Sequence, residues 1–409
     1  MTEPYDVLIV GGGPVGICAG ALLARTVAHG PALRVGLLQS AAAPPDGRVL
    51  AVSRASERIL DAAGAWPGIA PHAFAYERMR VWYQGVAATG AEVLQFDAAE
   101  VGEPNLGYII EAQRISSGLM DAFLAAGGEL IHGDLRAASV ELGAHDPVRI
   151  QSSAGVLSAQ LIVGADGARS AVRTAFGIGT RTGSYEQTAI VARLTPERSH
   201  QNTAWQRFVD GGTLALLPLA DGKVSIVWSL REAQARALLE ATSADFEAQL
   251  LQHSDAVLGA LRLAGPRLAF ALQRLTAERY IAPHCALVGD AAHVVHPLAG
   301  QGVNLGLLDA AALVQACLQA RAAGEHWGAQ RTLRNYERWR KGENELMEFA
   351  IDAFNRVLAQ GAGPVTALAR RALSLTNRSA LLKRFFIGQA LGQAPDLRAW
   401  GSDPAWQRR

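Results

Sequence analysis

Cysteine is scarce in this chain. Cys18, Cys285 and Cys317 are its only three, far apart, so neither a disulfide framework nor a CxxC metal site is written, no metal is expected, and a reducing compartment fits best. Charge is scarce too. Charged residues make up 18%, and Lys+Arg 38 against Asp+Glu 37 leaves a formal net charge of +1. Such a chain has no global field to draw it onto phosphate backbones, so nucleic acid is not an expected partner. No run of about 18 uninterrupted apolar residues is present; the two best helical stretches are broken by Arg25, and by Asp309 and Gln315. No membrane span is expected. Glu3 and Asp6 precede the first apolar run, which soon stops at Gly11, so an export signal is not expected either. Internal repeats and low-complexity tracts are also missing.

What is present is apolar bulk. Half of the 409 residues are hydrophobic, which disfavours disorder and suits two or three structural units at about 150 residues each. Val7–Val10 is a short apolar run ending at Gly11, the pattern of a buried parallel strand. Ile17–Val27 then continues in small and apolar residues suited to a packed helix, and Leu33–Leu38 is the next run, closing a βαβ unit. Between about 76 and 100, and again between about 184 and 270, the texture changes to alternating strands such as Arg80–Tyr83, Ala189–Leu194 and Val224–Trp228. Gly211-Gly212 and Asp221-Gly222 punctuate them as turns. Apolar runs bounded by glycine return at Leu161–Val163 and Ala286–Val288, so distant segments are expected to share the first domain. The expected class is α/β: a parallel-sheet, Rossmann-like domain from 1–75, 101–183 and 271–345, an inserted antiparallel-sheet domain from 76–100 and 184–270, and C-terminal helices over 346–409.

Three strings carry chemistry. Gly11-Gly12-Gly13-Pro14-Val15-Gly16 matches GxGxxG between a strand and a helix. Its glycines suit a tight turn, a close pyrophosphate and close helix packing, and the free N–H groups of the helix head suit an anion. The pattern then asks for an acid at the end of the second strand, where this chain has Gln39, followed by Ser40. An amide can still accept a ribose hydroxyl, without charge assistance. The second string is Leu161 to Ser170, with Gly164, Ala165 and Asp166 at a strand end and Arg173 just beyond. The third is Gly289-Asp290-Ala291-Ala292-His293, followed by His296-Pro297-Leu298-Ala299-Gly300-Gln301-Gly302-Val303-Asn304 opening a long helix. One dinucleotide would not need two such helix heads, but a flavin would, because its reduced ring carries negative charge that helix N–H groups can stabilise.

In this order the three strings resemble the class A flavoprotein monooxygenases, most closely the ubiquinone-biosynthesis aromatic hydroxylases. The likeness extends to Asp46-x-Arg48-x-x-Ala51-x-Ser53-x-x-Ser56, to Gln113-Arg114 before a helix, and to Leu214–Leu219. It implies that Gly11, Gly13, Pro14, Val15 and Gly16 face the FAD pyrophosphate, with Gln39 and Ser40 toward the ribose. It further implies Arg48 and Arg114 on the ribityl side, Leu135 at the adenine, Asp166 with Ala165 supporting the site, and Asp290 with Gly289 at the ribityl and pyrophosphate region. Pro297, Gly300, Gln301, Gly302, Val303 and Asn304 would line the isoalloxazine.

The implied reaction is hydroxylation of an aromatic ring, a polyprenylated phenol or quinone precursor. FAD reduced by NAD(P)H or another donor would capture dioxygen as a C4a-hydroperoxide. Trp205–Phe208 and Leu214–Leu219 are candidate pocket walls, and no acid-base residue is nominated, although His293 and His296 lie in the flavin string. Two other readings stay open: an FAD-dependent reductase without oxygen insertion, and a non-catalytic flavin-binding scaffold. Ala380–Ile387 joins Lys383 and Arg384 to an apolar face. It suits a cytoplasmic protein with peripheral membrane contact or a place in a quinone-biosynthesis complex.

Overall fold

The computed structural model describes residues 3–26, 32–40, 47–90, 93–135 and 147–359. Asp46, the expected break at Gly361–Pro364 and the segment Ala380–Ile387 lie outside them.

The first sheet runs in the order Ile281–Ala282, Cys285–Leu287, Gly155–Gly164, Tyr5–Val10, Val35–Gln39, Glu129–His132, with Val148–Ser152 beside Gly155–Gly164. From Cys285–Leu287 to Glu129–His132 every pairing is parallel. Tyr5–Val10 lies at its centre, and its apolar side chains are buried on both faces, the burial that a central parallel strand requires. Leu161–Val163 and Ala286–Leu287 join this sheet, as their glycine-bounded runs suggested. Helix Pro14–Ala24 follows and is buried almost all round. It lies between helices Ala112–Ala125 and Gln301–Ala322.

A larger sheet has the order His293–Val294, Leu268–Ala277, Thr180–Pro196, Val224–Arg231, Gly212–Pro218, Thr203–Val209, Arg78–Tyr83, Leu94–Asp97. It is antiparallel except where Thr203–Val209 meets Arg78–Tyr83 in parallel. That exception arises because the two strands come from separate stretches of chain and no hairpin joins them. One face carries Ile190, Ala192, Leu194, Leu214, Leu216, Ile226 and Trp228, packed with Phe246 and Leu250. These last two lie on helix Ser243–His253, which with Glu232–Glu240 interrupts a stretch expected to be strands. The Thr242 hydroxyl caps Ser243–His253 by accepting from Asp245 N–H, and Phe246 and Leu250 recur four residues apart on its buried side.

Helix Gln301–Ala322 is the stretch interrupted by Asp309 and Gln315. By length and hydropathy it is apolar enough to cross a membrane, although 72% of its most apolar window is buried inside the protein. Burial against other helices accounts for that composition without a bilayer. Helix Gln330–Ala359 packs beside it and runs unbroken through residue 346.

Candidate functional site

The carboxyl ends of four parallel strands stand side by side. Leu38, Val10, Gly164 and Leu287 are neighbours in register, so Gln39, Gly11–Gly13, Ala165–Asp166 and Gly289–Asp290 emerge along one edge, where open α/β sheets bind ligands. Gly11 turns with φ 120°, and a Cβ there would lie 2.2 Å from the Ala165 carbonyl oxygen, so only glycine fits. Gly16 lets the following helix close to within contact of Ala165. Val15 then joins the two glycine loops. A Cβ on Gly306 would lie 2.5 Å from Val15 Cγ2, and one on Gly289 would lie 3.2 Å from Val15 Cγ1. Helices Pro14–Ala24 and Gln301–Ala322 thus begin against each other, while Cβ atoms on Gly13 and Gly302 would meet nothing within 4 Å. Both helix heads offer backbone to open space.

Gln39 lies over Gly12, whose added Cβ would be 2.4 Å from Gln39 Oε1. That oxygen is buried and has no partner among the described residues; a hydroxyl donor would satisfy it. Ser40 is exposed beside it. The Gly133 N–H donates to the Gln39 carbonyl at 2.9 Å, and Leu135, bridged to Ser152, follows on the same edge.

Asn304 binds the second loop to the small sheet of Val49–Ser53, Gly107–Glu111 and Phe74–Tyr76. Its Oδ1 accepts from Ser53 N at 2.9 Å and from Ser56 Oγ at 2.7 Å, while its Nδ2 donates to Ala51 O and Gly300 O. Gly300, at φ 65°, lies so near Ala51 that a Cβ would come within 2.8 Å of it. Pro297, Gln301 and Val303 remain partly accessible around this clamp. Ala112 N–H donates to Arg48 O at 3.0 Å, joining the backbone at Arg48 to the chain two residues before Arg114. Arg114 sits in the first turn of helix Ala112–Ala125 rather than ahead of it, with Glu111 at 3.9 Å. Asp290 keeps exposed surface although protein closes around it. That crowding raises its carboxyl, with His293 and Arg48 pulling the other way.

Asp166 is used locally. Its two oxygens accept from Ser170 Oγ and from Val172 N, capping the turn into Ala171–Ala175. Its neighbour Arg173 does the bridging, donating to Ala291 O at 2.8 Å and Ala168 O at 2.7 Å. Beneath Gly289 lies a buried charge network that sequence reasoning missed. Asp309 accepts from Gly289 N, His293 Nε2, Arg340 Nε and Asn344 Nδ2. Burial alone would raise its carboxyl, but His293 and Arg340, with hydrogen bonds from His293 and Asn344, bring it down to about 2. An acid inside an otherwise apolar helix was the available signal. The three thiols are buried and free; burial pushes Cys18 and Cys317 up to about 12 and Cys285 well above the usual range, so none is poised as a nucleophile.

The other face of the large sheet, mostly buried, roofs this edge. Strand alternation puts Ala189, Val191 and Arg193, then Ser225, Val227 and Ser229, opposite the Phe246 cluster. Contacts locate that face: Leu217 packs with Val49 and Ile109, Phe208 with Leu298, and Arg48 lies 5.2 Å from the Phe270 ring centroid. Val227, Ala215 and Leu217, at mid-face, stay partly accessible, which marks a mainly apolar hollow. Of the expected walls, Gln206, Phe208, Ala215 and Leu217 look into it, while Trp205, Arg207, Leu214 and Leu216 look away.

An unpartnered acceptor at Gln39, open backbone at two abutting helix heads and a crowded, accessible Asp290 fit an extended dinucleotide flavin. The fold and this edge are those of an FAD-dependent oxidoreductase. The chain belongs to the FAD binding domain family, whose model matches residues 4–347, and by class it is an FAD-dependent monooxygenase. It is 34% identical over 401 residues to the 3-demethoxyubiquinol 3-hydroxylase of Escherichia coli (strain K12), covering 95% of this chain and 99% of that protein. It is also 34% identical over 394 residues to the ubiquinone hydroxylase UbiL of Rhodospirillum rubrum, covering 95% and 89%. In fold it is similar to p-nitrophenol 4-monooxygenase PnpA from Pseudomonas putida DLL-E4, with TM-score 0.76 at 18% identity over 96% of this chain and 99% of that one.

Proposed function

We propose that this protein hydroxylates the aromatic ring of a prenylated phenol or quinone precursor in ubiquinone biosynthesis. The observation that carries the reading is the meeting of both glycine loops at Val15, beneath a sheet face whose centre is open and apolar. Likeness to two ubiquinone-ring hydroxylases along most of the chain supports the substrate class.

In this reading Gly11, Gly13, Pro14, Val15 and Gly16 hold the pyrophosphate, and Gln39, Ser40 and Leu135 the adenosine end. Arg48, Arg114 and Asp290 bind the ribityl side, with Ala165, Asp166 and Gly289 shaping the edge. Pro297, Gly300, Gln301, Gly302, Val303 and Asn304 line the ring. When bound, FAD supplies dioxygen activation, with electrons from NAD(P)H or another donor. The chain's own contribution is positional. The helix head at Gly302 offers N–H groups to developing negative charge, and the Asn304 clamp keeps that head fixed on Ala51 and Ser53. Val227, Ala215, Leu217 and Phe270 exclude water and hold the substrate ring in one orientation. The division at 76–100 and 184–270 belongs to the same proposal, those segments forming the roof. A cytoplasmic location with peripheral membrane contact, and membership of a quinone-biosynthesis complex, rest on the sequence of Ala380–Ile387 and the prenylated substrate. Liposome flotation at low salt tests the contact.

The test is turnover of a short-chain prenylated phenol with NAD(P)H in air, read by mass. A product one oxygen heavier is expected. Reductant consumption yielding only hydrogen peroxide would favour the reductase or scaffold reading.

A further inference from the structure

One buried histidine beside the proposed ring-lining loop is held by a side-chain amide that also reaches the roof. His296, directly before Pro297, is wholly buried, and its Nε2 lies 3.0 Å from Gln187 Oε1. The same amide's Nε2 donates to the Gly211 carbonyl at 2.8 Å. A carbonyl can only accept, so the Gly211 bond determines which end of the amide turns to His296. The end presented is the oxygen, which demands an N–H. His296 therefore carries its proton on Nε2, and Nδ1 is left as a bare acceptor with no partner among the described residues.

Gln187 reaches this position through a local irregularity. Strand Thr180–Pro196 loses register with Leu268–Ala277 between Ser184 and Gln187, and Glu186 there has φ 54°. The bulge swings Tyr185 out so that its ring meets His296 edge-on at 5.0 Å. The groups of other elements that face the imidazole are themselves paired. Tyr185 Oη donates to Asp352 Oδ1 at 2.6 Å, Arg274 Nη1 donates to Asp352 Oδ2 at 2.9 Å, and Glu348 lies 3.6 Å from Arg274. Asp352 is thus neutralised by Arg274 and draws little proton density toward His296, whose burial holds it down at about 4. At its other end, Gly211 forms the tip of the hairpin that carries Phe208, Ala215 and Leu217 into the hollow.

We infer that Gln187 is a positioning residue whose amide fixes the Nε2–H tautomer of His296 and joins the Pro297–Asn304 loop to the roof hairpin in a single geometry. The link to the flavin rests on the proposed function; the tautomer does not. Side-chain ¹⁵N shifts of His296, assigned by their loss in His296→Asn, are followed from pH 5 to 8.5 in apo and FAD-loaded protein. Wild type is expected to remain neutral and protonated at Nε2 throughout. In Gln187→Glu a carboxylate faces that N–H, and the imidazole midpoint is expected to rise by about 1–3 units. The visible flavin spectrum of that variant is expected to titrate at the same midpoint while that of wild type is flat, and its reduction potential is expected to bend there away from the pH slope that wild type follows. Gln187→Leu, which makes neither bond, is expected to show mixed tautomers and a shifted flavin spectrum. An Nδ1–H tautomer in wild type overturns the inference even if no variant folds, and so does an unmoved midpoint in folded Gln187→Glu. Wild-type protein that refuses FAD would sink the functional reading alone, because the apo shifts still decide the tautomer.

Discussion

Asp309 accepts a hydrogen bond from the backbone N–H of Gly289 at 3.1 Å, so a carboxylate within one helix sets the turn at the end of a strand twenty residues earlier. The same carboxylate is shared by His293, Arg340 and Asn344, all buried. Asp309→Asn leaves the buried Arg340 guanidinium with only the half-exposed Glu343 as its opposing charge, a loss expected to fall below the about 3–5 kcal/mol of a fully orphaned buried charge. Urea unfolding should show that loss, with weaker FAD retention because Gly289 and Asp290 sit on the affected turn. The sign with pH is definite. A carboxyl held at about 2 in the folded chain stabilises above its unfolded value of about 3.9 and loses that contribution as pH falls toward 2. Melting curves from pH 5 to 2 should therefore fall more steeply for wild type than for the variant, and parallel curves would remove Asp309 from this role.

Two glycines on one helix separate packing from ligand approach. Gly306→Ala drives a methyl to 2.5 Å from Val15 Cγ2, an overpacking worth about 1–3 kcal/mol in folding stability. Gly302→Ala meets open space, so the apoprotein should melt at or slightly above the wild-type temperature, while FAD affinity drops because the methyl occupies the helix head. Apoprotein melts and flavin titrations measure the two effects separately. Equal FAD affinity in Gly302→Ala would move the cofactor away from that helix head.

Local features were legible and long-range ones were not. Val7–Val10, Gly11–Gly16 and Gly300–Asn304 declare themselves because strand, turn and helix head each need particular residue types within a few positions. Asp309 could only be read as a polar break in an apolar run, since Arg340 and Asn344 lie 31 and 35 residues away. The roof was half legible. Trp205–Phe208 and Leu214–Leu219 do belong to it, but strand alternation sends Trp205, Leu214 and Leu216 to the opposite face, and the helices they meet were read as strands. Gln187 owes its reach to a bulge at Glu186, and no residue type there announces one.

Gln39 stands where a dinucleotide site ordinarily has an acid. Its Oε1 is buried and without a partner among the described residues, ready for a hydroxyl, but a neutral acceptor forms a bond roughly half as strong as a carboxylate. Gln39→Glu should tighten FAD binding by about 1 kcal/mol, or roughly fivefold, in titration of the apoprotein. Weaker or unchanged binding with normal melting would place the ribose elsewhere.

His296 gives the protein an acid sensitivity distinct from that of Asp309. Burial holds its imidazole at about 4, below the unfolded value of 6.5, with Asp352 opposing weakly. Between those values the unfolded chain binds a proton that the folded chain refuses, so the contribution is complete above about 6.5 and declines as pH falls to about 4. At roughly 1.4 kcal/mol per unit the loss across that window approaches about 3 kcal/mol. His296→Asn cannot titrate there, so its melting temperature should change less than that of wild type between pH 7 and 4, although it starts lower through the altered bond to Gln187. If both proteins lose stability equally over that range, His296 binds a proton as readily in the folded chain as in the unfolded one, and burial does not hold it neutral.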